Sequence, residues 1–379
     1  MRNKETPAKH SRKTGSGRTL PTLTMLAVFG LALLLTTCIN PANSGDRATR
    51  TLPTVKAVST YRGSAGGVGR TLAIALDGSL WGWGLELSGQ FGDETIIRPL
   101  VPVKLGVEND WAYISVGNGH AMAIRTDGSL WGWGWKFHGA IGDGVPAPQG
   151  HRTHTPVQIG IEKSDWTHVS AGPSRTLAIR EGGSLWAWGR NQWGQLGVGN
   201  GMGTDALKPV RVNTLYKDWI AVSAGGGHTV AIRGDGSLWA WGWNGRGPVG
   251  DGTTIHRHAP VRIGSYYDWA YVSTGLVHTV AIRDDGFGSR TLWAWGGNDS
   301  GQLGDGTGGN IHSYRTAPTR VDTPHDDWVS VSAGAYHTFA IREDGSLWGW
   351  GSNLNRLLGD GAGSGGWDDN RLRPVRISR

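Results

Sequence analysis

The chain has 379 residues, enough for one large domain and a leader, with 63 glycines and a formal net charge of +7. Glycine at more than twice its usual share means either low complexity or many tight turns, and its recurrence at fixed places excludes the first. Residues 1–37 hold six Lys/Arg against one acid, which leaves about +2 of the +7 for the rest; this excludes a basic nucleic-acid-binding face.

In chain order, the basic residues Arg2, Lys4, Lys9, Arg12, Lys13 and Arg18 precede an apolar run over residues 23–35. Such a run is short for a membrane span and fits the core of a secretory signal peptide. The only cysteine, Cys38, lies three residues beyond it. The stretch Leu35-Thr36-Thr37-Cys38 resembles the lipobox of bacterial lipoproteins, with Thr37 where that pattern has Gly, Ala or Ser. The resemblance implies a signal peptide over 1–37 and lipidation at Cys38, anchoring an extracytoplasmic protein of the bacterial cell envelope. A plain secretory signal, giving a secreted or periplasmic protein, or an uncleaved anchor is the alternative. Residues 38–52 read as a tether, and 53–379 as the folded domain. With no cysteine past Cys38, thiol catalysis and disulfides within the domain are excluded.

The domain is periodic. Trp-x-Trp-Gly occurs six times, beginning at Trp81, Trp131, Trp186, Trp239, Trp293 and Trp348. An Asp-Trp pair precedes it in five repeats, at Trp111, Trp166, Trp219, Trp269 and Trp328. Within the fourth repeat, residues 229–232 and 238–241 are β-prone runs about an Asp-Gly-Ser turn, and 220–223 and 260–263 supply two more strands. Each unit thus offers four strand runs, the middle two as a hairpin.

Val-Ser-Ala-Gly at 222–225, His-Thr at 228–229, Asp-Gly-Ser-Leu-Trp at 235–239 and Gly-Gln-Leu-Gly-Asp-Gly at 301–306 resemble the regulator of chromosome condensation repeat family. The resemblance implies an all-β propeller. Six blades are recognisable, and a seven-bladed or incomplete ring is left open. The first repeat lacks Asp-Trp; Ser64-Ala65-Gly66 is the trace of its innermost strand, and residues 53–58 are expected to latch onto the C-terminal blade.

Recurring polar residues are assigned to the fold. His120, His228, His278 and His337, with Arg70 and Arg175 in their place in two repeats, read as strand-end hydrogen-bonding groups and not as metal ligands. Arg125, Arg180, Arg233, Arg283 and Arg342 are expected to pair with the acid two residues on, at Asp127, Asp235, Asp285 and Asp344. Asp93, Asp143, Asp251, Asp305 and Asp360 read as Asx turns.

Residues outside the repeat pattern are the candidate partner-binding set. These are Trp135, Trp193, Trp243 and Trp367, with the loop residues His151, Arg152, His154, His256, Arg257, His258, Tyr314 and Arg315. Trp, Tyr and Arg dominate binding hot spots, and loops on a rigid scaffold carry function. No catalytic, cofactor or metal motif stands out. The function read from the sequence is a monomeric scaffold binding a protein at the cell envelope. Alternatives are glycan binding through the loop tryptophans and an enzyme acting on an envelope polymer.

Overall fold

The computed structural model describes residues 53–61, 69–84, 89, 91–92, 99, 101–148, 151–162, 164–199, 203–310, 312–366 and 369–377. In the fourth repeat, Trp219–Ala224, His228–Arg233, Leu238–Gly242 and Arg257–Ile263 pair in that order as one antiparallel sheet. Its central hairpin turns at Gly236, whose φ of +76° favours glycine. Asp235 Oδ1 accepts from the Ser237 amide (2.9 Å) and hydroxyl (2.6 Å), which fixes the turn.

Six such sheets, spanning residues 55–105, 111–159, 166–211, 219–263, 269–320 and 328–376, are arranged in a ring as a six-bladed β-propeller. The innermost strands line a central cavity of about 510 Å³. Two ends follow from the strand directions. The turn end carries the Asp-Gly-Ser turns and the connectors between blades; the loop end carries the long links between third and fourth strands.

Successive blades share one construction. The second tryptophan of the motif is fully buried at Trp133, Trp188, Trp241, Trp295 and Trp350. Each lies under a loop glycine of the preceding blade: Gly92, Gly142, Gly197, Gly250 or Gly304. A Cβ there would come within 2.5–3.1 Å of the indole, so only glycine lets the loop descend. The indole N–H donates to that loop from Trp241 to Gln195 O (3.0 Å), Trp295 to Pro248 O and Trp350 to Gln302 O (both 2.9 Å). Nearer the axis, serines tie the inner strands: Ser59, Ser115, Ser170, Ser223 and Ser273 accept the amides of Val116, Ala171, Ala224, Thr274 and Ala333 at 2.9–3.1 Å.

The boundary from blade 6 back to blade 1 differs. Gly359, counterpart of the loop glycines, would place a Cβ against Ile377 alone, at 3.9 Å. Trp83, Phe339, Ile341 and Leu347 are half-buried, where Val280, Ile282 and Leu292 at the preceding boundary are buried. Among the described residues, each hydrophobic cluster joins consecutive blades from 1 to 6, and none joins blade 6 to blade 1.

The expected latch does not form. Val55–Tyr61 pairs with Arg70–Ala75 as the innermost strand of blade 1, so among the described residues no strand crosses the sixth boundary. Residues 64–66 lie outside the described residues. Val55 stands opposite Ala75, where the other blades set Trp opposite Arg; this small pair hid the strand in the sequence.

Candidate functional site

The repeat's polar residues are consumed by the fold. His120, His228 and His278 are buried, and each Nε2 meets a threonine hydroxyl of the next blade: Thr176 (2.9 Å), Thr279 (3.0 Å) and Thr338 (3.1 Å). Burial pushes His120 and His278 down to about 3 and His228 well below its ordinary value, so all three are neutral at pH 7. Arg175, in the histidine place, donates instead to His228 O (2.6 Å) and Gly226 O (3.2 Å).

The expected partner of the strand-end arginines needs correction. Arg233 and Arg342 do reach Asp235 and Asp344, but the main partner is the aspartate of Asp-Trp. Arg233 is bidentate to Asp218 (2.9 and 2.9 Å), Arg283 to Asp268 (2.8 and 2.7 Å) and Arg342 to Asp327 (2.7 and 2.9 Å). Antiparallel pairing sets Trp219 opposite Arg233, which brings Asp218 to the guanidinium. The guanidinium also lies over aromatic rings, as Arg180 does over Trp166 at 4.3 Å.

The His/Arg loops divide. Arg257 pairs with Asp251 (2.5 Å) and Arg315 with Asp305 (2.7 Å), binding each loop to its own Asx turn. Burial pushes the Asp251 carboxyl up, but the Thr253 hydroxyl and Arg257 outweigh it and hold it below the usual range. His154 and His258 lie beneath Gly89 and Gly194 of the preceding blade, where a Cβ would come within 2.8 and 2.3 Å of the ring. They serve the clasp between blades. His151 and Arg152 are exposed, with Arg152 paired in register with Trp135. Tyr314 is exposed at the start of its strand.

Of the tryptophans outside the repeat, Trp135, Trp193 and Trp243 lie at the loop end. Trp135 and Trp243 hold one position in alternate blades. Their amides donate to Gly119 O (2.7 Å) and Gly227 O (2.9 Å), and their side chains lie over those glycines. A Cβ on Gly227 would also lie 3.6 Å from Trp193, so Trp193 and Trp243 meet over one glycine at the boundary of blades 3 and 4. His256 closes the group, edge-on to Trp193 at 5.0 Å between centroids, its Nδ1 accepting the Asn244 amide at 3.0 Å. Burial, then the nearby His258, lowers its pKa, which favours the neutral ring. Exposed Arg190 holds the equivalent place in blade 3, its guanidinium on Gln192.

Gly226, beside this aromatic group, and Pro173 and Leu276 in the same loop of the flanking blades line the central cavity. The loop end therefore presents Trp135, Arg190, Trp193 and Trp243, the last two over Gly227, next in the chain to the cavity-lining Gly226. The sequence singled out the tryptophans but missed Arg190; its signal was its place immediately after Trp-Ala-Trp-Gly. Cys38 and Trp367 lie outside the described residues. Among the described residues, no three His, Cys, Asp or Glu side chains gather as a metal site.

A family model for the RCC1-like domain matches residues 33–379. The ultraviolet-B receptor UVR8 of Arabidopsis thaliana is 32% identical over 195 residues, covering 51% of this chain and 42% of that one. The mitochondrial RCC1 domain-containing protein RUG3 of the same plant is 28% identical over 206 residues, covering 52% and 45%. The matches thus span under half the length of these relatives. Among solved structures, yeast RCC1 (Prp20) bound to Kap60 superposes with a TM-score of 0.71 at 20% identity, covering 86% of this chain and 75% of that one. Human WBSCR16 gives 0.63 at 20% identity, covering 76% and 72%. At that identity the structures show a shared fold.

Proposed function

The chain belongs to the RCC1-like domain family, and on that premise we propose that it is a binding scaffold exported to the cell envelope, anchored by lipid at Cys38 and capturing a protein partner with its loop end. The observation that carries this reading is the meeting of Trp193 and Trp243 over Gly227, next to the cavity-lining Gly226, with Arg190 on blade 3 and Trp135 on blade 2 at the same end. Aromatic and Arg side chains on a rigid rim are the composition of an interface hot spot. Related propellers support the reading as a class: yeast Prp20p is described by its binding to Kap60, Gsp1p and histones. Those partners belong to that protein; an exported chain meets a different set.

The test is capture from the source organism's envelope by a soluble form, residues 46–379, beside its Trp135→Ala/Trp193→Ala/Trp243→Ala variant. A protein retained by the first and lost by the second supports the reading. Retention unaffected by the variant returns these rings to loop packing, and release by soluble oligosaccharide replaces the protein partner with a glycan. Acylation of Cys38 is read separately, from the mass of the N-terminal peptide of the full chain.

A further inference from the structure

Among the described residues, nine large hydrophobic side chains are exposed at the turn end, against Val101, Trp135, Val145, Ile255 and Tyr314 at the loop end. Leu76, Val107, Ile161, Leu215, Tyr216, Ile220, Tyr266, Tyr267 and Phe287 all lie at the turn end, in turns, connectors or the first residues of inner strands. Val107, Leu215 and Phe287 are 88%, 96% and 97% exposed, which leaves their side chains almost wholly in water. The series runs from blade 1 to blade 5 and is densest on blades 4 and 5. There the backbone of Tyr267, in the connector to blade 5, abuts the blade 4 turn at Gly236.

A second, independent observation concerns where the chain enters. Val55 pairs with Ala75 at the turn end of blade 1, and Thr54 O accepts the amide of Leu76, itself one of the exposed apolar residues. Residues preceding the propeller therefore join it at this end. Between Cys38 and Val55 the chain can span at most roughly 60 Å.

We infer that the turn end is a bilayer-docking face, in which Leu215, Tyr267 and Phe287 enter the boundary between phospholipid headgroups and acyl chains while the loop end faces away. The orientation rests on the anchor at Cys38; affinity for the bilayer does not. The chemistry suits an interface. Tyrosines are amphipathic anchors at headgroup depth, and isolated Leu and Phe tips gain by leaving water. Of the acids at this end, Asp218, Asp268 and Asp327 are each held by an arginine, while Asp77, Asp127 and Asp285 are exposed at the turns, so contact with the bilayer falls to the apolar tips between them. Arg262, over the Tyr267 ring at 4.2 Å, and exposed Lys217 supply cations beside the apolar tips for lipid phosphates.

Flotation with vesicles of phosphatidylethanolamine and phosphatidylglycerol tests the face without the anchor. The six blades are complete within residues 55–376, so the soluble form 46–379 carries every strand. That form is expected to float with the vesicles. Its Leu215→Ser/Tyr267→Ser/Phe287→Ser variant is expected to partition at least tenfold less at an unchanged melting temperature, while Trp135→Ala/Trp243→Ala, at the other end, partitions as the parent does. Absence of flotation by the parent, equal flotation by the triple serine variant, or loss through the loop-end variant overturns the proposal. Acylated Cys38 with no flotation by 46–379 leaves the anchor standing and removes the docking face. Flotation with Cys38 unmodified keeps the face and removes the anchor.

Discussion

Gly132 lies directly opposite Met122 in the second blade, and a Cβ on the glycine would come within 2.8 Å of the Met122 sulfur. In blades 4 and 5 the same cross-strand pair is Ala240 with Val230 and Ala294 with Val280. The long side chain and the missing methyl thus balance at one place in the blade.

Gly132→Ala is therefore expected to destabilise the protein by about 1–3 kcal/mol through overpacking, and Met122→Val added to it to restore most of that loss. Urea unfolding of the two single variants and the double variant reads the coupling. Additive effects would show that the two positions are packed independently.

Ile282→Ala is expected to cost about 2–5 kcal/mol, because Ile282 is fully buried between blades 5 and 6. Its counterpart Ile341 faces the sixth boundary half-buried, and Ile341→Ala is expected to cost less than half as much. Equal losses in thermal unfolding would mean that the sixth boundary is packed like the other five.

Stability is expected to be flat above about pH 7 and to fall as the pH drops from 6.5 toward 3. His120 and His278 are neutral in the fold down to about 3 but bind protons near 6.5 once unfolded, so the unfolded state gains protons through that interval. Replacing His278 by Gln should reduce the pH slope of the unfolding free energy by close to one proton near pH 5. An unchanged slope would refute the buried neutral ring.

The Arg283–Asp268 pair, bidentate at 2.8 and 2.7 Å, is expected to show a coupling of about 1 kcal/mol in a double-alanine cycle. Arg125 approaches Asp110 only to 3.6 Å and is expected to couple less. Similar couplings would mean that stacking of the arginine on its rings, and not the ion pair, fixes its position.

Features that recur in register were legible before any coordinates. The six blades, the Asx role of Asp251 and Asp305 and the hydrogen-bonding role of His228 each appear several times at one place, so one physical reason must serve all copies. The Arg233–Asp218 pair escaped because its partners stand 15 residues apart and meet only through strand pairing. A trace of it was visible, since blade 1 lacks the Asp-Trp pair and the arginine together. The innermost strand of blade 1 escaped because Val55 replaces the tryptophan that marks the other five. At the loop end the sequence picked out Trp193 and Trp243 singly. Their convergence depends on a loop of blade 3 reaching over blade 4, which neither residue's own neighbourhood encodes.

Every blade is drawn from one unbroken stretch of chain, and each hands its apolar face to the blade made next. Contacts between blades consequently join segments close in sequence, and no closing event must wait for the two termini to meet. A chain emerging from its N-terminal side can complete blade 1 and use its face as the template for blade 2, and so on through blade 6. The same order sets how the molecule comes apart: blades 1 and 6, each with a packed neighbour on one side alone, are the places where unravelling begins.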